Sequence, residues 1–210
     1  VSENTAKPIY TGSLYEIEDG VFKIIAIDGY RMAIRSENVD SESKNRFVVP
    51  GKTQHEVLKL LTDDEENTEI IIGQRHITFK IKNYRIISRL IVGTFIEYKS
   101  AIPKETKTEV VINTRTIIDA VERMSLLNND RIQSPVRCIF SDDEIKLSCT
   151  SAVGRANDVI SVPIIGESVE IGFNNRYLLD ALKNADTDEI KLILNGSLTA
   201  MIVKPVKGDS

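Results

Sequence analysis

Apolar and polar residues alternate over short stretches along most of the chain, and in three places the period lengthens to that of a helix. Leu14-Tyr15-Glu16-Ile17 and Phe22-Lys23-Ile24-Ile25-Ala26-Ile27 flank Glu18-Asp19-Gly20, and Val136-Arg137-Cys138-Ile139-Phe140 and Glu144-Ile145-Lys146-Leu147 flank Ser141-Asp142-Asp143. Apolar runs on either side of an acidic or glycine turn predict antiparallel hairpins. Helices are predicted over Glu56–Leu61 and Tyr177–Leu182. A third, capped by Asn113 or Thr114, carries Ile117, Val121 and Met124 at i, i+4 and i+7.

These elements recur in one order at a spacing of roughly 120 residues. Val49-Pro50-Gly51-Lys52 leads into the first helix, then the acidic Thr62-Asp63-Asp64-Glu65, then strands at 69–72 and 77–81. Ile171-Gly172-Phe173-Asn174 leads into the Tyr177–Leu182 helix, then Asp186-Thr187-Asp188-Glu189, then strands at 190–193 and 198–202. Two copies of one strand-rich α+β unit account for this. The helix near Asn113 opens the second copy, and its equivalent in the first would lie upstream of Val1. The polar stretch from Pro103 to Thr108, begun by a proline and without periodicity, reads as the linker. The expected domains are 1–106 and 107–210.

Length changes this picture little: 210 residues with 41% hydrophobic and 28% charged side chains suit two ordinary packed domains. No apolar run reaches the ~20 residues of a bilayer span. The start Val1-Ser2-Glu3-Asn4 has no signal pattern, so the expected location is the cytoplasm and no membrane partner is expected. Cys138 and Cys149 stand at apolar positions of alternating segments and read as buried thiols.

A formal charge of −4 argues against coating nucleic acid by bulk attraction, but not against local basic faces or retention of DNA by encirclement. His55 and His76 have no carboxylate at metal-ligand spacing, and phosphate-loop, nucleophile-elbow and CxxC patterns are absent. No metal or other cofactor is expected. Asp28-Gly29 reads as a turn, so a hydrolase using Asp28 and His76 is a poor rival. On the first helix Lys52, His55 and Lys59 lie opposite Val57, Leu60 and Leu61; on the last, Arg176 and Lys183 are seven apart with Asp180 between.

The segment Lys7-Pro8-Ile9-Tyr10-Thr11-Gly12-Ser13-Leu14-Tyr15-Glu16, followed by Ala26-Ile27-Asp28-Gly29-Tyr30-Arg31-Met32-Ala33, resembles the middle domain of bacterial DNA polymerase III beta subunits, the sliding clamps. Further matching motifs are Val49-Pro50-Gly51-Lys52, Phe95-Ile96-Glu97-Tyr98 before Ile102-Pro103, and Glu170-Ile171-Gly172-Phe173-Asn174 with Tyr177-Leu178-Leu179-Asp180-Ala181-Leu182. The resemblance runs essentially end to end. It implies the DNA-clamp fold: repeated α+β domains with antiparallel sheets outside and helices lining the inner face of a ring. The chain would hold the middle domain without its first helix and the C-terminal domain without its last strand, which would follow Ser210.

The same resemblance implies a non-catalytic processivity factor, a homodimer in its full-length form, that encircles duplex DNA without sequence specificity. It would tether the polymerase III alpha subunit, clamp-loader subunits and other proteins bearing a clamp-binding motif. The pocket for that motif carries over onto Tyr10, Ile27, Gly29, Tyr30, Arg31, Met32, Ile96, Ser100, Ala101, Asn174, Tyr177, Leu198 and Ala200. Ile27, Tyr30, Ile96 and Ser100 depart from the Thr, His, Pro and Arg usual in the family. An apolar cleft with a polar rim is what a peptide anchor needs. Lys7, Lys52, Lys59, Arg176 and Lys183 are the expected DNA-facing cations, and Leu126 and Leu127 the expected dimer contacts. Without the first domain those leucines lack their partner, so the chain alone is not expected to close a ring. The alternative is a stand-alone peptide-binding adaptor without a DNA role.

Overall fold

The computed structural model describes residues 1–2, 4, 6–41, 43–62, 67–127 and 134–206. The chain divides into two compact units, one over Val1–Ile96 and one beginning at Glu97.

In the first unit, β1 (Gly12–Glu18), β2 (Val21–Ile27), β3 (Met32–Asn38) and β4 (Asn45–Pro50) form an antiparallel sheet in the order β3-β2-β1-β4. Asp19 and Gly20, both at positive φ (52° and 75°), make the tight β1–β2 turn that matches the strands' right-handed twist. The helix α1 (Gly51–Leu60) leaves β4 directly, and β5 (Glu69–Ile72), β6 (His76–Ile81) and β7 (Tyr84–Arg89) make a second sheet. Tyr15 and Val49 from the first sheet, Val57 from α1, and Ile77, Phe79 and Ile81 from β6 form one buried cluster. Side chains alternate across a strand, so Tyr15 faces this cluster while its neighbours Leu14 and Glu16 lie on the opposite face of β1, and all three are buried. Gly12 is needed where β1 meets β4: a Cβ there would stand 2.4 Å from the Val49 carbonyl oxygen.

The second unit runs β8 (Thr108–Asn113), α2 (Thr114–Ser125), β9 (Val136–Ser141), β10 (Glu144–Ser151), β11 (Gly154–Ser161), β12 (Ile164–Gly166), β13 (Val169–Phe173), α3 (Asn175–Lys183), β14 (Glu189–Leu194) and β15 (Ile202–Pro205). Its sheets are β11-β10-β9-β13 and β12-β8-β14-β15, with all pairings antiparallel. Asn113 caps α2 by accepting from the Thr116 N–H at 3.0 Å, satisfying one of the orphan donors of the first turn. The helix then buries Ile117, Ile118, Ala120, Val121 and Met124. They join Phe140, Ile145, Leu147, Leu182, Ile190 and Leu192 in the core, where full burial of each large apolar side chain contributes about 1.5–3 kcal/mol.

The repeat seen in the sequence is a repeat of topology. In each unit the four-stranded sheet reads third, second, first, fourth strand, and a helix follows the fourth strand at once (α1 after β4, α3 one residue after β13). The hairpin turns match too, Asp142 and Asp143 having φ of 53° and 55°.

The compact units divide between Ile96 and Glu97, and buried Thr108 is the first residue of β8. Two sequence expectations shift. The last strand lies at Ile202–Pro205, paired with β14, and not at 198–202; Gly196, at φ +105°, turns the chain, and Leu198 projects with 98% exposure. Leu61 caps the end of α1 at 45% exposure instead of joining its buried stripe, which is held by Val57 and Leu60.

Candidate functional site

Five of the expected peptide contacts of the first unit fall in a single hairpin end. Ile27 and Met32 face each other as the last β2–β3 pair. Between them Asp28 organises the turn: its Oδ1 accepts from the backbone N–H groups of Tyr30 (3.0 Å) and Arg31 (3.1 Å), and its Oδ2 from Arg31 Nε (2.8 Å). Burial alone would push the Asp28 carboxyl up, but the Arg31 hydrogen bond, the two backbone donors and the guanidinium charge together hold it below the usual carboxylate range. This is turn chemistry, and it explains the Asp28-Gly29 pair without catalysis, since Gly29 takes φ +97° at no steric cost. Ile27 is buried and Met32 half-buried, while Tyr30 stands out at 82% exposure.

Tyr10 lies in the 3₁₀ turn Pro8–Thr11. Its ring meets Phe95 edge-on at 5.9 Å and 86°, and the Lys7 ammonium sits over its face at 5.9 Å. Lys7, expected at DNA, is thus seated on an expected peptide residue. Phe95 is buried, so it braces Tyr10, a role the sequence reading missed although it quoted the Phe95-Ile96 motif. Ile96 follows at 39% exposure.

In the second unit, Ser100 and Ala101 are exposed in the 3₁₀ turn Tyr98–Ala101, where Ser100 donates through both N–H and Oγ to the Glu97 carbonyl (3.3 and 2.7 Å). Asn174 is the cap of α3, its Oδ1 accepting from the N–H groups of Arg176 (3.0 Å) and Tyr177 (3.2 Å). The cap fixes the first turn that carries half-buried Tyr177. Leu198 and Ala200 are exposed on the β14–β15 loop, which Thr199 Oγ1 steadies by donating to the Gly196 carbonyl (3.3 Å).

The expected DNA-facing cations are all exposed but not equally available. Lys59 pairs with Glu56 at 2.8 Å and Lys183 with Glu122 at 2.6 Å. In each pair the carboxylate competes with a phosphate for the lysine. Among the described residues, Lys52 at the start of α1 and Arg176 near the start of α3 have no carboxylate within the ion-pair distance. At the end of α2 the two leucines separate: Leu126 is 82% exposed, whereas Leu127 packs partly against the core.

Burial raises the Cys138 thiol to about 12 and also raises that of Cys149, partly offset by the nearby Asn175 amide. Both behave as small apolar groups. No group of three or more potential metal ligands occurs among the described residues.

Family profiles match the chain in two consecutive blocks: the DNA polymerase III beta subunit central domain over residues 1–97 and its C-terminal domain over 99–210. The beta sliding clamp of Halalkalibacterium halodurans is 30% identical over 216 residues, covering 100% of this chain and 57% of the relative. The sliding clamp crystal structure of Bacillus subtilis superimposes with a TM-score of 0.95 at 30% identity, covering 100% of this chain and 56% of that one. A Pseudomonas aeruginosa clamp bound to griselimycin gives a TM-score of 0.90 at 28% identity over 95% of this chain and 55% of that one. The chain therefore spans a little over half the length of the relatives it matches.

Proposed function

The chain belongs to the DNA polymerase III beta subunit family, the bacterial sliding clamps, and has their fold; we propose that the protein containing it is the processivity factor of a replicative polymerase. The reading rests on one observation above all, the tandem repetition of a single sheet-and-helix unit that matches the central and C-terminal clamp domains in order. In the full-length protein the units take part in a homodimeric ring around duplex DNA in the cytoplasm. The ring holds DNA by topology and carries out no bond chemistry, which fits a chain of net charge −4.

The polymerase alpha subunit, clamp-loader subunits and other partners bind by a short linear motif with a glutamine and spaced leucine and phenylalanine. Its apolar side chains are taken by Met32, Tyr10, Tyr177 and Leu198, and its backbone and polar groups by Arg31 and Asn174. Methionine gives adaptable apolar contact and tyrosine broad contact at low entropic cost, and a guanidinium already aligned by Asp28 suits a carbonyl or carboxylate. Calorimetric titration of the chain with a motif peptide tests this. Met32→Ala and Tyr177→Ala should each weaken binding by about 1–2 kcal/mol, as for central anchors. Equal affinity for the parent and both variants would remove these residues from the site.

A further inference from the structure

We infer that Arg46, braced by Glu16, is a positioning residue for the peptide site: it holds the backbone at Ile96 and thereby the segment that presents Ile96 and steadies Tyr10. This inference rests on the reading of Tyr10 and Ile96 as peptide contacts.

Glu16 is the starting point. It sits in the middle of β1 with only 9% of its side chain exposed, on the face opposite Tyr15. A carboxylate so placed needs cationic or hydrogen-bonding partners to offset its lost hydration. The strand register supplies two cations in the same row, since Glu16 is paired with Lys23 on β2 and with Arg46 on β4. The Arg46 Nε stands 3.8 Å from Glu16 Oε2. A guanidinium has five donors in a fixed fork, so it can engage Glu16 and a second acceptor together. One of the donors, Nη2, donates to the Ile96 carbonyl at 3.5 Å.

That carbonyl matters because of what its segment carries. The residue before it, Phe95, is buried and meets the Tyr10 ring edge-on; Ile96 itself is exposed at 39%. β1 and β4 are well-paired interior and edge strands of the first sheet, whereas residues 92–97 have no strand or helix pairing of their own. Arg46 links the rigid element to the irregular one. Without the link the Ile96 backbone is free to move, and a peptide binding there must order it first.

The test is fluorescence titration of a motif peptide with the parent chain, Arg46→Met, Arg46→Lys, Glu16→Gln and, as control, Met32→Ala, together with the NMR carbonyl-carbon shift of Ile96 and the melting temperature. Loss of one net hydrogen bond corresponds to an affinity about fivefold weaker. Arg46→Met should show that loss and a displaced Ile96 carbonyl signal, with melting lowered because buried Glu16 loses one of the two cations in its row. Arg46→Lys should recover part of both. Should Arg46→Met fail to fold, Arg46→Lys and Glu16→Gln carry the same comparison at lower amplitude. Parent affinity in Arg46→Met, or an Ile96 carbonyl signal that does not move, overturns the inference while Met32→Ala still weakens binding. If Met32→Ala binds like the parent, the peptide-site reading fails and this inference fails with it.

Discussion

Replacing Asp28 by Asn isolates the ion pair that shapes the exposed end of the β2–β3 hairpin. Asparagine keeps an oxygen for the Tyr30 and Arg31 backbone donors, at 3.0 and 3.1 Å, but sets an amide NH₂ or a neutral oxygen against Arg31 Nε. A hydrogen bond to a charged group contributes about 1.5–3 kcal/mol when shielded. Here 38% of the Arg31 side chain and 16% of that of Asp28 are exposed, so screening reduces the pair to about 1 kcal/mol. The sign with pH follows from the depressed folded-state carboxyl: its contribution is complete above the unfolded value of about 3.9 and disappears as pH falls through the lower folded value. Urea denaturation should therefore show Asp28→Asn less stable than the parent by about 1 kcal/mol at pH 7, with the gap closing below about pH 4. Equal stability at neutral pH, or a gap that widens on acidification, would refute the role given to this pair.

Leu126→Asp should change stability by less than about 0.5 kcal/mol, because the side chain is 82% exposed, yet should convert the full-length protein to monomers in ultracentrifugation. Leu127→Asp, which places a charge against the core, should cost about 2 kcal/mol or more in the same denaturation assay. Cys138 should resist a thiol-directed disulfide reagent at pH 8 in the native chain and react once it is unfolded, since burial holds its thiol near 12. In the full-length protein, Lys52→Ala should lower the salt slope of DNA binding by about one unit. Lys183→Ala should lower it less, because Glu122 already pairs with that lysine.

What could be read from the sequence followed from periodicity and turn chemistry. Both hairpins around Asp19-Gly20 and Asp142-Asp143, the three helices and the Asn113 cap are local, and each is specified by residues within a few positions of one another. Some strands were harder. β3 carries Arg35, Ser36, Glu37 and Asn38 and is largely exposed, so it lacks the apolar alternation of a half-buried strand. β8 was partly absorbed into the linker because it begins with Thr108, a polar residue whose burial is repaid by its Oγ1 donating to the Glu167 carbonyl at 2.6 Å, a partner 59 residues away. Its buried Val110 and Ile112 did offer the alternation. At the other end, alternating Leu198, Ala200 and Ile202 imitated a strand, but pairing with β14 begins only at Ile202. Among the site residues, resemblance supplied the list and the structure supplied reasons: Asp28 for the turn, Asn174 for the first turn of α3, and Phe95 for Tyr10. None of those supports is a matter of periodicity.

The processivity role is tested most directly by loading the full-length protein on nicked circular DNA and passing the complex through gel filtration at high salt before and after linearisation. A ring that holds DNA by topology stays with the circle at salt concentrations that abolish phosphate contacts, and is lost when a free end is cut. Equal retention on circular and linear DNA, or release from both as salt rises, would contradict encirclement and with it the function proposed for this chain.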